Sequence, residues 1–457
     1  MAHGPLSEER RTDEHTLAGT AAPRRVVLAT HGTLGDLHPL MALALALRAR
    51  GIDTVIGSHD NFREKVESVG IPFHAYGPGY DTYRKDLKIS QDELVRRMSR
   101  DHAYMLRQLV APYLKSAVQD LMPLVKDADM VIGSRYAYGA HIAARLCGKP
   151  YTALALQPAV MLSAYDPPKL KDAYFNTEPK NAIGRTHNRV IKLIGAGLLA
   201  SGMGPVRKIY QSYGLTPQDR IDGIVADQQT LALYSPMMGK VQPDFPPRTQ
   251  IVGFPFFDSE SGAAASLRPE LDAFLSAGRP PIVFSLGSVA VFDSDQFYRQ
   301  AIEACKRLGE RCVILAGDGP LVGEDFGADV FIIPYAPHSL LFPRALAVVH
   351  HGGIGSTAQG LRAGRPQLIT PVFADQFDNA YRLERMGLGH SLDFSLWSVD
   401  RAEAALRALL ASKTLADKAA AIAPVIAQEN GADRAADIIL ASIAPRTANA
   451  FADAIPA

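Results

Sequence analysis

Residues 347–379 read AVVHHGGIGSTAQGLRAGRPQLITPVFADQFDN, and the rest of the chain takes its meaning from them. An apolar run over 346–349 predicts a buried parallel strand, because a strand covered on both faces has no polar positions to alternate with. His350, His351, Gly352, Gly353, Ile354, Gly355, Ser356 and Thr357 then form a glycine-rich turn that opens a helix. Glycines let a backbone approach a ligand closely, and the first turn of a helix leaves N–H groups without intrahelical partners. Together they make an anion site of the kind that holds phosphate. A second strand over 367–370 leads through Pro371 to the polar cluster Asp375, Gln376 and Asn379. The run thus offers phosphate donors after one strand and sugar-type hydrogen-bonding groups after the next.

The same plan extends to either side. Upstream, residues 281–286 predict a strand that ends in Ser285, Gly287 and Ser288, a turn suited to a pyrophosphate or distal sugar, or equally to an ordinary strand-to-helix connection. A helix over 295–308 and strands over 312–316 and 330–333 follow, the last leading into Pro334-Tyr335-Ala336-Pro337-His338. The first half has a strand over 25–30, a turn containing His31, Gly35, Asp36 and His38, and an Ala/Leu-rich helix over 40–50. Further strand candidates lie at 53–57, 73–76, 130–133 and 152–156, with a largely helical stretch over 91–125 and a closing strand over 231–235. This alternation predicts an α/β fold with parallel sheets covered on both faces. A full G-x-G-x-x-G is absent after the first strand and no acidic residue closes an evident second one, which excludes a dinucleotide-dependent oxidoreductase.

At 457 residues the chain is long enough for two or three domains. Its net charge of +1 provides no global positive field for nucleic acid. Cys147, Cys305 and Cys312 lie in no metal or redox spacing and read as reduced core thiols of a cytoplasmic protein. Residues 1–23 are charged and lack an apolar centre, which predicts a disordered leader rather than a secretory signal. No apolar run reaches the roughly 18 residues of a membrane span.

The glycine turn HHGGIGST, then Gln359, AGRP and P-x-x-x-D-Q-x-x-N-A resemble the nucleotide-sugar signature of family 1 glycosyltransferases. Bacterial and fungal sterol glucosyltransferases, rhamnolipid-type rhamnosyltransferases and antibiotic glycosyltransferases are the similar members. Gly35-Asp36 likewise resembles the G-D-V-x-P element near the start of the sterol and antibiotic enzymes. The resemblance spans nearly the whole chain and implies the GT-B architecture, two Rossmann-like domains facing across a cleft. The expected layout is an acceptor-binding domain over 24–250, a linker over 251–268, a nucleotide-sugar domain over 269–415, and C-terminal helices over 416–457 that pack back on the first domain.

The resemblance also implies roles. Asp36 becomes the general base that takes the acceptor's hydroxyl proton, with His31 and His38 as open rivals and helix capping as the plain alternative. Gly287 and Ser288 would approach the pyrophosphate, and Tyr335, Ala336 and His338 would receive the base. His351, Gly353, Gly355, Ser356 and Thr357 would bind phosphate, with Ser356 capping the helix; His350 would point away. Gln359 stands where many relatives carry a ribose-binding glutamate, which leaves UDP against dTDP open, and Asp375 and Gln376 would hold the donor sugar.

The implied reaction is inverting transfer of a hexose from a UDP- or dTDP-sugar to a small acceptor, with no metal or other cofactor. Residues 158–214 would shape the acceptor pocket. Residues 179–218 contain no acid while Lys180, Arg185, Arg189, Lys192, Arg207 and Lys208 accumulate. This suits a lipophilic acceptor or weak contact with an anionic membrane, as well as a plain solvated helix. The competing readings are a nucleotide-sugar 2-epimerase of the same architecture and a non-catalytic sugar-nucleotide-binding protein.

Overall fold

The computed structural model describes residues 24–101, 103–171, 178–216, 229–258, 266–287, 294–317 and 319–443. The expectations for the leader, for Ser288 and for residues 259–265 of the linker fall outside them. Two parallel sheets organise the described residues. The first is seven-stranded in the order β3-β2-β1-β4-β5-β6-β7. Its strands are β1 (Arg25–Ala29), β2 (Asp53–Ser58), β3 (Phe73–Ala75), β4 (Met130–Gly133), β5 (Tyr151–Ala155), β6 (Gln229–Ala232) and β7 (Thr249–Ile251). The second has six strands in the order β10-β9-β8-β11-β12-β13. These are β8 (Ile282–Ser285), β9 (Cys312–Leu315), β10 (Val330–Ile333), β11 (Ala347–His350), β12 (Gln367–Ile369) and β13 (Gly389–Ser391). All paired strands run parallel, as continuous apolar runs dictate. The strand over 231–235 is not the last of its half: β7 extends the sheet beyond β6.

Five helices bear on the site: α1 (Leu34–Arg48), α2 (Ala182–Gly202), α3 (Ile354–Ala363), α4 (Gln376–Met386) and α5 (Gly431–Ile443). Helix α1 begins at Leu34, a turn earlier than its apolar run suggests, because Thr33 and Asp36 close a reciprocal capping box. The stretch over 91–125 is broken, with helices at Gln91–Arg100 and Leu114–Lys126 separated by a π-helical turn at Met105–Val110. Helix α5 lies against α1: Ala435, Ala436 and Ile439 share a core with Leu37, Leu40 and Leu47, and Arg50 reaches Asp433 and Asp437 at 2.7 Å each. Glu429, just before α5, accepts from Ser235 Oγ at 2.5 Å and Phe254 N–H at 2.9 Å. The chain's last described helix is thereby fastened to the first lobe. Among the described residues no helix is long and apolar enough to cross a membrane.

In open parallel sheets the binding crevice lies beyond the strands' carboxyl ends, where strand order reverses. In the first sheet that point is between β1 and β4, and in the second between β8 and β11. The β1 end leads to His31 and Asp36; the β8 and β11 ends lead to Gly287 and to His351.

Candidate active site

The second lobe supplies the glycine turn. Helix α3 starts at Ile354 with Gly353 as N-cap and no side chain closing it. Ser356 is therefore not the cap: it sits two residues into the helix and is nearly buried. Thr357 turns its hydroxyl back to donate to the Gly353 carbonyl at 3.0 Å. The first N–H groups of a helix have no intrahelical partner, and here a β-carbon on Gly355 would meet only open space.

His351 lies between two glycines. A β-carbon on Gly287 would stand 2.4 Å from its Cε1, and one on Gly353 would stand 2.4 Å from its Nε2. Gly287 also has φ +82°, a conformation that side chains disfavour. Burial lowers the His351 pKa to about 3, with His350 and His338 adding to the fall, so the ring is neutral. Its Nδ1 is buried without a hydrogen-bond partner among the described residues. His350 faces the opposite side, since neighbours leaving a strand point apart. Its Nδ1 accepts from Gly352 N–H at 3.1 Å and its Nε2 lies 2.8 Å from Gln367 Oε1, which puts the proton on Nε2.

Beyond β12 the chain makes a strained turn, with Ala374 at φ +55°, that sets Asp375 before α4. Asn379 Nδ2 donates to Asp375 Oδ2 at 2.9 Å and to the Gly352 carbonyl at 2.8 Å, locking acid to glycine turn. Gln376 Oε1 accepts from the N–H groups of Val372 and Phe373 at 2.8 and 3.2 Å, so one end of its amide shapes the turn.

The first lobe supplies Asp36. Its Oδ2 accepts from the Thr33 N–H at 2.8 Å and the Thr33 hydroxyl at 3.2 Å. A β-carbon on Gly32 would fall 2.2 Å from the same oxygen, so the carboxylate occupies the space that glycine leaves. Burial raises the Asp36 pKa, against the two Thr33 hydrogen bonds. Exposed Gly35 gives its N–H to Thr33 Oγ1 at 3.2 Å.

The rival histidines sit differently. His31 Nε2 is 2.5 Å from Tyr83 Oη, and burial, with His59 beside it, lowers its pKa to about 3. His38 packs its ring 5.3 Å from that of Phe257, and burial lowers its pKa to about 3, with Lys65 and His338 adding to the effect.

The two lobes meet at this place. Asp375 has its pKa raised to about 7, first by burial and further by the charge of Asp36 across the crevice. His38 feels His338 of the other lobe in the same way. His338 is half-buried, stacked 4.3 Å from Phe342 and 3.5 Å from Ser285 Oγ. Ala336 is buried, whereas Tyr335 is 39% exposed, its ring 6.5 Å from His338 in stacked orientation. Gln359 looks to the linker: its Nε2 donates to Asp258 Oδ1 at 3.0 Å and its Oε1 accepts from Arg362 at 2.9 Å.

Residues 26–153 match the glycosyltransferase family 28 N-terminal domain, and residues 310–439 match the erythromycin biosynthesis protein CIII-like C-terminal domain. The chain is 31% identical to a vancomycin aglycone glucosyltransferase of Amycolatopsis orientalis, over 92% of this chain and 98% of that one. The chain belongs to this glycosyltransferase family. A sterol 3-beta-glucosyltransferase of Komagataella phaffii is 28% identical over 90% of this chain and 34% of its own length. The fold is shared with the calicheamicin glycosyltransferase CalG4 (TM-score 0.67, 18% identity, 94% of this chain and 100% of that one). It is shared also with the glycosyltransferase VinC solved with dTDP (TM-score 0.62, 18% identity, 92% and 99%). The enzyme is thus a glycosyltransferase with two Rossmann-like lobes.

Sequence reading of this glycosyltransferase missed groups that sit between the lobes. Arg382, buried on α4, bonds Asp378 and Asp166 at 2.7 Å each and the Met238 carbonyl at 2.7 Å. The D-x-x-x-R spacing from Asp378 to Arg382 was a visible helical ion-pair signal; the partner at Asp166 had none. Asp258, which takes both Gln359 and Arg362, was likewise hidden in the linker.

Proposed function

We propose that this glycosyltransferase moves a hexose from a UDP- or dTDP-sugar to a hydroxyl of a small lipophilic or aromatic acceptor, with inversion, and that Asp36 is the base. The observation that carries the reading is a helix start left without a side-chain cap, with Asp375 tied to its glycine turn through Asn379 and Asp36 near enough to raise the Asp375 pKa. Asp36 takes the acceptor's proton as its oxygen attacks the anomeric carbon from the side opposite the nucleotide. A general base works best when its pKa approaches the working pH. Burial moves Asp36 in that direction and moves His31 and His38 away from it, which favours the carboxylate over its rivals.

Charge on the leaving diphosphate falls on the α3 N–H groups and on a neutral His351 hydrogen bond. No step is routed through a divalent cation, so activity should survive EDTA. Gly287, Gly353, Gly355, Ser356 and Thr357 line the diphosphate path, Tyr335, Ala336 and His338 the base, and Asp375 and Gln376 the sugar. Gln359 would meet the ribose only by leaving Asp258. The names of the relatives extend to this chain the expectation of an antibiotic-type or sterol aglycone. The outer face of α2, where Ile183, Val190, Leu193 and Ile194 are exposed, suits weak contact of a cytoplasmic enzyme with the membrane that holds such an acceptor. The experiment is incubation with UDP-glucose and dTDP-glucose against aromatic and sterol aglycones. A β-linked product from the α-linked donor is the expected result by NMR coupling; an α-linked product, an isomerised donor, or binding without turnover refutes the reading.

A further inference from the structure

Helix α4 carries Asp375, Gln376 and Asn379 at its start and Arg382 one turn further on. Arg382 is 2% exposed, and every group it bonds is buried or nearly so. Its Nε donates to Asp378 Oδ2 on its own helix, while Nη1 donates to Asp166 Oδ2 and the Met238 carbonyl of the other lobe. The second oxygen of Asp378 accepts the Lys169 N–H at 2.9 Å, so the same loop grips α4 twice. Arg385 adds a weaker contact, 3.7 Å from Asp166 Oδ1.

That loop is not free to drift. Asp244 accepts from Ser163 Oγ at 2.6 Å and Ala164 N–H at 2.8 Å, and Lys192 of α2 reaches the same carboxylate at 3.2 Å. Asn188 of α2 donates to the Ala164 carbonyl at 3.2 Å. A polar chain therefore runs from α2 through residues 163–169 to Arg382 and Asp378. From there one helical step reaches Asn379, which holds both Asp375 and the Gly352 carbonyl.

Buried ion triads seldom add net stability over well-packed apolar groups, which leaves the fixing of one surface against the other as the role to test here. We infer that Arg382 is a positioning residue: through Asp166 it couples the loop and helix bordering the acceptor side to the sugar-facing carboxylate and the phosphate turn. The inference rests on the donor reading above and extends it. Acceptor-side order and donor-side order then rise together, and water attacks the donor less often than the acceptor does.

Removing Arg382 takes the closest cation from buried Asp378 and half-buried Asp166, so Arg382→Met is expected to misfold. Asp166→Asn keeps the shape, the Asp378–Arg382 pair and the fold while neutralising the cross-lobe arm. In the wild-type enzyme, UDP or dTDP should slow hydrogen–deuterium exchange of the amides over 163–169. In Asp166→Asn that slowing should vanish, transfer kcat should fall about tenfold with KM for donor little changed, and donor hydrolysis should gain on transfer by about the same factor, the usual scale of a coupling between sites. Asp166→Glu should recover part of the loss. A lower Tm with an unchanged exchange response and an unchanged ratio of hydrolysis to transfer overturns the coupling alone. Failure of both nucleotides to bind wild-type protein overturns the donor reading and the coupling with it.

Discussion

In the first lobe β1 runs into α1 through Gly32 and Thr33; in the second β11 runs into α3 through Gly352 and Gly353. Both turns stand where strand order reverses, and both aim a helix start at the crevice. Their ends are finished differently. Thr33 and Asp36 close the first with side chains of the same chain, so the anion at that helix start is the protein's own carboxylate. Gly353 leaves the second without a side-chain cap, and in the proposed reading the anion there is the donor's diphosphate. On that proposal, one helix-start geometry holds a reacting group in one lobe and receives a leaving group in the other, and a single capping carboxylate makes the difference.

Replacing that carboxylate breaks the comparison most sharply. Asp36→Asn should lower transfer kcat by about a thousandfold, within the usual span for a general base, while the nucleotide Kd stays put. Near-normal turnover would return the base role to His31 or His38. On the other side, Gly353→Ala drives a methyl into the His351 ring. Nucleotide diphosphate affinity should drop about tenfold, roughly one charge-assisted hydrogen bond, as titration calorimetry would reveal; unaltered affinity would remove His351 from the phosphate path.

The coupling of the two acids sharpens the comparison further. Asp375 has its folded pKa raised to about 7 from 3.8, so the folded state holds its proton more tightly than the unfolded chain does. That contribution to stability is fully present below pH 3.8 and is lost as pH rises through about 7. Asp375→Asn removes the loss, and its Tm should gain on the wild type between those limits and remain ahead above them. A constant Tm difference across that range would contradict it. Thr33→Val is the mildest change. It deletes one bond that lowers the Asp36 pKa, so the acidic limb of the transfer pH profile should move to higher pH. The lost cap should cost about 1 kcal/mol in urea unfolding; an unmoved limb would show that the Thr33 N–H alone sets the acid.

Much of this was legible in the chain. The parallel sheets follow from runs such as Val348-Val349 and Val26-Val27-Leu28, which have no polar face to show water. Opposed directions for His350 and His351 follow from strand alternation alone. Ser356 was misplaced because a serine near a helix start resembles a cap, and only the backbone shows that the helix had begun at Ile354. The resemblance places Gln359 where relatives carry a ribose-binding glutamate; its bond to Asp258, about a hundred residues away in the chain, is a tertiary contact that no local pattern shows.

By itself the sequence determined the elements, the glycine turns and the chemical types on each, because apolar periodicity, capping residues and conformational freedom act over a few neighbouring positions. Tertiary structure alone decided which groups share a crevice. Asp36 raises the Asp375 pKa, and Arg382 finds Asp166, only because the tertiary fold brings the two lobes together. Burial and charge proximity are properties of that assembly, and no local pattern along the chain encodes them.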